Sequence, residues 1–137
     1  YQIHAGAKYA GSLAWDAAMM FKEVDPAHAA IAFDLRHVKA GSGLSFPTAL
    51  AAMGKHVRSI FVKDAIWSGK RTASIKNVPL DTGIVNKKAF DDVRNGHSPM
   101  PLSLHMEWGK APIYPKKIVM EAVANITRDV RILKSWL

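Results

Sequence analysis

The sequence predicts an α/β fold of parallel strand–helix units, and three observations predict it. Four short apolar runs stop at ionisable residues: 1–4 at His4, 31–37 at Asp34, Arg36 and His37, 59–64 at Lys63 and Asp64, and 102–107 at His105 and Glu107. An amphipathic segment follows each run. The strands begin near residues 1, 29, 57 and 102, two intervals of 28 and one of about 45. Repeated units of this kind carry their chemistry at the strand carboxyl ends.

In order, the first strand reaches His4 and a glycine-punctuated loop follows at 5–11. Ser12 is placed to cap a helix running to about Val24, which buries Leu13, Ala17, Met20 and Phe21. Asp25-Pro26 stops it. The second strand spans 29–33, and the glycine-containing segment 39–44 reads as loop. Phe46-Pro47-Thr48 opens a helix through Met53, with Gly54 at its end. The third strand is 57–62. Residues 65–86 form a long connection of the length usually reserved for function or disorder. Asn86 caps a short helix from Lys87 to Arg94, closed by Asn95-Gly96. The fourth strand is 102–106, residues 108–115 are loop, and a final helix runs from Lys117 to Trp136. Its apolar stripe is Ile118, Ala122, Val123, Ile126, Val130 and Leu133. The sequon Asn125-Ile126-Thr127 falls inside this helix and is read as chance.

The chain has 137 residues, half of them apolar, enough for a real core. There are no cysteines, so disulfides and thiolate metal sites are excluded. No apolar run nears the roughly 20 residues that span a bilayer. The net charge is +8, but the basic residues are scattered, with Lys87-Lys88 and Lys116-Lys117 the adjacent pairs. That pattern argues against nucleic acid and for a solubilising surface or an acidic small-molecule ligand. A cytoplasmic location is expected, and because the chain opens at Tyr1 directly in a strand, an upstream segment or export signal remains open. A (β/α)₈ barrel needs about 250 residues, so four units make half of one. An open doubly wound sheet is the other option, although no glycine-rich phosphate fingerprint follows a strand.

Alternation along the strands sets Asp34 with Ala32, Lys63 with Phe61, and Glu107 with His105. If those faces share one rim, carboxylates, an ammonium and an imidazole converge. An oxygen-rich set with one imidazole suits Mn²⁺ or Mg²⁺, with Zn²⁺ or Co²⁺ also accommodated. A cation there polarises a sugar carbonyl while a glutamate moves the neighbouring proton. Each group also has a plain structural role open to it. Asp34–Arg36 and Lys63–Asp64 can be ion pairs, His37 can bond loop backbone, and His105 and Glu107 can support other groups. His28, His56 and His97 are given no role.

The runs FDLRHV (33–38), IFVKDAIW (60–67), NVPLDTGIVN (77–86) and PLSLHMEWG (101–109) resemble the sugar phosphate isomerase/epimerase family. These are xylose isomerase-like TIM barrels, related to inosose dehydratases, ketose 3-epimerases and type IV endonucleases. YQIHAG (1–6) and WDAAMMFKEVDP (15–26) look like that family's fifth βα unit. The resemblance implies one domain over 1–137, strands five to eight of the barrel, incomplete at its amino end. It implies a divalent metal held by two glutamates, an aspartate and a histidine. Asp34 matches the aspartate and His37 a substrate-contacting histidine. The metal histidine's position holds Phe61, the final glutamate's holds His105 with Glu107 two residues on, and the first glutamate would precede Tyr1.

The expectation is therefore a sugar or sugar-phosphate isomerase/epimerase working by proton transfer beside a carbonyl, with a divergent metal site. Glu107, Lys63 and His37 are the catalytic candidates. His4, Arg36 and Trp67 are the substrate-binding candidates, and Asp34, His105 and Glu107 the metal-ligand candidates. Two alternatives stand beside it: a non-catalytic carbohydrate-binding barrel, and a half-barrel that assembles with another copy or a missing amino-terminal half.

Overall fold

The computed structural model describes residues 1–6, 8–69, 74–96, 99–109 and 116–137, with the side chains of 116–118 excepted. His97, most of the 108–115 loop and the Ile118 side chain lie outside the described residues. The elements in order are α1 (Ala14–Phe21), β1 (Ile31–Asp34), α2 (Leu35–Ser42), α3 (Phe46–Met53), β2 (Val57–Val62), β3 (Asp64–Ser68), β4 (Ser74–Val78), α4 (Lys87–Gly96), β5 (Leu102–Leu104) and α5 (Lys116–Trp136).

Strands β1, β2 and β5 form a parallel sheet in that order. Gln2 adds a parallel bridge to Ala32 on the far side of β1. All four predicted strands thus lie side by side in chain order, with their carboxyl ends at one edge. Ile31, Phe33, Ile60 and Val62 are fully buried. Their side chains, with Ile3, Phe46, Met53 and Phe90, make one continuous apolar core between sheet and helices. No helix among the described residues is long and apolar enough to cross a membrane.

Several elements depart from expectation, each for a local reason. The segment after Asp34, expected to continue the strand end and then loop, is helix α2. The Asp34 side chain caps it, Oδ1 accepting the His37 backbone N–H at 3.1 Å. A strand can therefore pass directly into a helix, because the first free N–H groups find an acceptor at once. Gly43, at φ +52°, ends α2 in the left-handed region. Helix α1 stops at Phe21 and has Leu13, not Ser12, at its N-cap. Ala14, Ala17 and Phe21 face inward, whereas Leu13 and Met20 are exposed. In α5 the buried residues are Ala122, Asp129 and Trp136, seven apart, and Val123 and Ile126 turn outward. Helix α3 forms as expected, and α4 starts where expected, with Asn86 Oδ1 accepting the Ala89 N–H at 3.0 Å, but runs on through Asn95 and Gly96 instead of closing before them.

The long connection after β2 is the largest departure. It holds an antiparallel hairpin, β3 paired with β4 from Asp64↔Val78 to Ser68↔Ser74. Asp64 fastens this insertion to the barrel. Its buried carboxylate accepts backbone N–H groups of Ala65 (2.7 Å), Thr82 (3.0 Å), Gly83 (2.7 Å) and Val85 (2.8 Å). Burial pushes its pKa up against the pull of those four bonds. Gly83 has no room for a side chain, since a Cβ there would run into the Ala65 carbonyl.

Removing the Asp64 carboxylate leaves the Ala65, Gly83 and Val85 N–H groups without their acceptor, while the Thr82 N–H keeps the Pro79 carbonyl at 3.2 Å. Asp64→Ala should lower unfolding stability by about 3 kcal/mol or more in urea titration, with Asp64→Asn in between. A loss below about 1 kcal/mol for the alanine variant would show that water replaces the carboxylate cheaply.

Candidate functional site

Three strand ends bring Asp34, Lys63 and Glu107 into direct contact. The Lys63 ammonium lies 3.0 Å from Asp34 Oδ2 and 2.6 Å from Glu107 Oε1. Asp34 is fully buried and Lys63 is 4% exposed, while the Glu107 side chain keeps 39% of its surface. Asp34 Oδ2 also accepts the Gln2 side-chain amide at 3.1 Å, so the first strand joins the cluster. Arg36, in the first turn of α2, reaches Glu107 Oε2 at 3.3 Å. Two carboxylates and two cations thus balance in charge at one rim. Burial acts to raise the Glu107 pKa. The Lys63 hydrogen bond and charge, then Arg36 and His105, outweigh it and hold the carboxyl below its ordinary range.

His37 is buried beside this cluster. Its Nδ1 faces the Ala5 N–H at 3.1 Å and its Nε2 faces Arg36 Nη2 at 2.7 Å. Arg36 can only donate, so Nε2 is the acceptor nitrogen of the neutral ring, and a second ring proton there would point straight at the guanidinium. Desolvation, then the Arg36, Lys63 and His4 charges, lower its pKa to about 2. The ring is neutral and stacks on His4, centroids 3.8 Å apart. His4, Arg36, His37, Trp67, Ser74 and Ile75 are among the walls of a cavity of about 440 Å³. Trp67, half-exposed on β3, overhangs it. A second hollow of about 280 Å³, between α1 and α3, is lined by Leu13, Trp15 and Ala49 and contains none of these polar groups.

His105 stands somewhat apart. Its Nε2 lies 3.1 Å from Ser103 Oγ and its ring packs on Phe61, centroids 4.5 Å apart. Among the described residues no hydrogen bond joins it to Asp34 or Glu107, and no three His, Asp or Glu side chains are grouped to hold a metal ion. The donor set does not fit a divalent cation for a second reason. Such an ion needs the carboxylate oxygens at about 2.0–2.6 Å, and the space between Asp34 and Glu107 is filled by the Lys63 ammonium.

Two contributors were not singled out in the sequence. Gln2 bonds Asp34. Asn77, on β4, accepts from Arg36 Nη1 at 3.0 Å and donates to the Glu107 backbone carbonyl at 3.0 Å. Asn77 sat inside a stretch read as loop. The alternation Ser74-Ile75-Lys76-Asn77-Val78 was the available strand signal.

The fold has a known counterpart. A solved structure described as a xylose isomerase domain protein from Planctomyces limnophilus superposes with a TM-score of 0.59 at 20% sequence identity. The match covers 97% of this chain and 45% of that one. The chain is half of a xylose isomerase-like TIM barrel in fold, spanning under half the length of that protein. No protein-family model matches the sequence, and no curated protein matches it.

The buried neutral His37 has a thermodynamic consequence. Its folded pKa lies below the unfolded value of 6.5, so unfolding takes up a proton between those limits. The stability it confers is present above pH 6.5 and is lost as pH falls below it. Between about pH 6 and 4 the wild type should lose about 1 kcal/mol more per pH unit than His37→Gln, read from urea midpoints. Equal slopes would mean that the ring is already solvated in the folded state.

Proposed function

We propose that this chain is part of a sugar isomerase/epimerase-type barrel that moves a proton beside the carbonyl of a small sugar or sugar phosphate. The observation that carries the proposal is the Lys63 ammonium, held between Asp34 and Glu107 at the carboxyl ends of parallel strands. Open βα sheets gather their chemistry at that edge. A lysine ammonium has three N–H donors, and two carboxylates account for two of them. In this scheme the third is the one that meets a carbonyl oxygen.

In this scheme the Glu107 carboxylate takes the proton from the carbon next to the carbonyl. The electron pair moves onto the carbonyl oxygen, giving an enediolate that accepts the Lys63 N–H. Isomerisation follows when the neighbouring hydroxyl passes its proton to the former carbonyl oxygen and Glu107 returns its own proton to the former carbonyl carbon; epimerisation instead takes a second acid, such as water, to protonate the original carbon on the face opposite Glu107. A bound carbonyl oxygen that draws Lys63 toward it weakens the ammonium's hold on Glu107 before the proton moves, which restores basicity to the carboxylate when it is needed. Arg36 fixes Glu107, and the neutral His37 ring gives a rigid wall. The cavity of about 440 Å³ is walled by Arg36 and His37 but not by Lys63 or Glu107, so in this scheme a small sugar held there, with Trp67 against its C–H groups, extends its carbonyl end past Arg36 to the cluster.

A second reading, a carbohydrate-binding module without turnover, is favoured by one specific observation. Neither Glu107 nor His37 is held near neutrality, the usual setting for a proton-transferring group.

One experiment separates the two. A panel of aldoses, ketoses and their phosphates incubated with the protein in D₂O should show exchange of the hydrogen beside the carbonyl by proton NMR. Glu107→Gln should slow it by about 10²–10⁴-fold. Saturation-transfer binding without exchange would support the binding module, and neither signal would remove the sugar assignment.

A further inference from the structure

We infer that Lys63 is the resident cation of this site and excludes divalent metals from it, so that removing its ammonium opens a cation site between Asp34 and Glu107. The inference stands on the ion cluster alone and holds whether or not the chain turns over a sugar. One Nζ atom touches an oxygen of each carboxylate, at 3.0 and 2.6 Å. The two carboxylates come from segments far apart in sequence, and the ammonium between them offsets their mutual repulsion.

The surroundings keep this arrangement in place when the lysine is shortened. Asp34 is fixed by the His37 N–H and the Gln2 amide as well as by Lys63. Glu107 is fixed by Arg36, and its backbone by Asn77. Truncation therefore leaves two oriented carboxylates facing a space about one bare divalent ion wide, with the Gln2 carboxamide at its edge. Oxygen donors of this kind select hard cations. The remaining Arg36 charge sits on the outer oxygen of Glu107 and weakens the site without filling it. Phe61 adds no ligand, so the affinity falls short of that of a four-ligand site.

The test uses the full chain stripped with chelator and titrated with Mn²⁺, followed by isothermal calorimetry and the paramagnetic signal of free ion. Wild type should take up no stoichiometric Mn²⁺ up to about 1 mM, whereas Lys63→Ala should bind one equivalent at least about tenfold more tightly. Adding Glu107→Gln to that variant should abolish the binding. Where Lys63→Ala does not fold, Lys63→Gln and Lys63→Met read the same effect, and Mn²⁺ should raise their melting temperature but not that of wild type. One Mn²⁺ bound by wild type and lost in Glu107→Gln would overturn the inference. So would folded lysine variants, or variants that stay unfolded with Mn²⁺, that show no Mn²⁺-dependent signal at all.

Discussion

The contact on which the arrangement of this half-barrel depends is the ammonium of Lys63 between two carboxylates. Burying three charges carries a large desolvation cost, and the mutual attraction repays it only when every remaining lone pair and proton has a partner. Asp34 meets that condition through three donors: the His37 N–H, the Gln2 amide and Lys63 itself. Glu107 meets it through Lys63, Arg36 and water at its exposed face. The cluster joins groups from all four strand–helix units, so it fixes the relative height of the strands at their carboxyl ends. Sheet hydrogen bonds alone fix neighbours; this cluster fixes the rim.

Around that rim a second set of bonds holds what the first set uses. Glu107 lies on the segment after β5, where regular pairing has ended. The next residue, Trp108, donates its indole N–H to Asp129 Oδ2 at 2.6 Å, and Asp129 is buried on α5. Asp129 also accepts the Leu80 N–H at 3.2 Å, tying the end of the hairpin insertion to the same helix. A buried aspartate in the inward seam of a helix is costly in an apolar setting. Here it has three donors, counting Arg128 at 2.6 Å, and it anchors both segments that carry Glu107 and Asn77. The rim is precise because its loops are tied down at a distance from the charges.

Much of this was legible in the sequence because it depends on period and punctuation. Apolar runs ending in charge at near-regular intervals specify parallel strands, and Asp34, Lys63 and Glu107 meet because each stands at or just beyond the carboxyl end of its strand. What escaped was governed by side-chain hydrogen bonds that no period records. Helix α2 starts where it does because the Asp34 carboxylate serves both as cap and as ion-pair partner. The hairpin β3–β4 is short and half-polar, so its alternation was weak against Pro79 and Gly83, which follow it. The outward turn of Val123 and Ile126 had the same origin, since the inward face of α5 is chosen by Asp129 and Trp136. Hydrophobicity alone ranks an aspartate as an outside residue, and here it is an inside one.

The exposure of Glu107 bears on how such a site can work. Asp34 and Lys63 are sealed by β1, β2 and the core, but Glu107 has strand neighbours on one side only, because β5 is the last strand of the described sheet. A parallel sheet that curls as a half-barrel leaves one edge at Gln2 and the other at β5, each with unpaired backbone groups. In the proposed whole barrel, strands paired with those edges would wall the open side of Glu107 and exclude water from it. Excluding that water strengthens the hold of Lys63 and Arg36 on the carboxylate. It also leaves the carboxylate dependent on Lys63 for its charge balance. A substrate carbonyl that draws Lys63 away then changes Glu107 far more in a closed barrel than in an open one. The lysine that stabilises the rim is, in the proposed chemistry, also the group whose displacement would set the proton in motion.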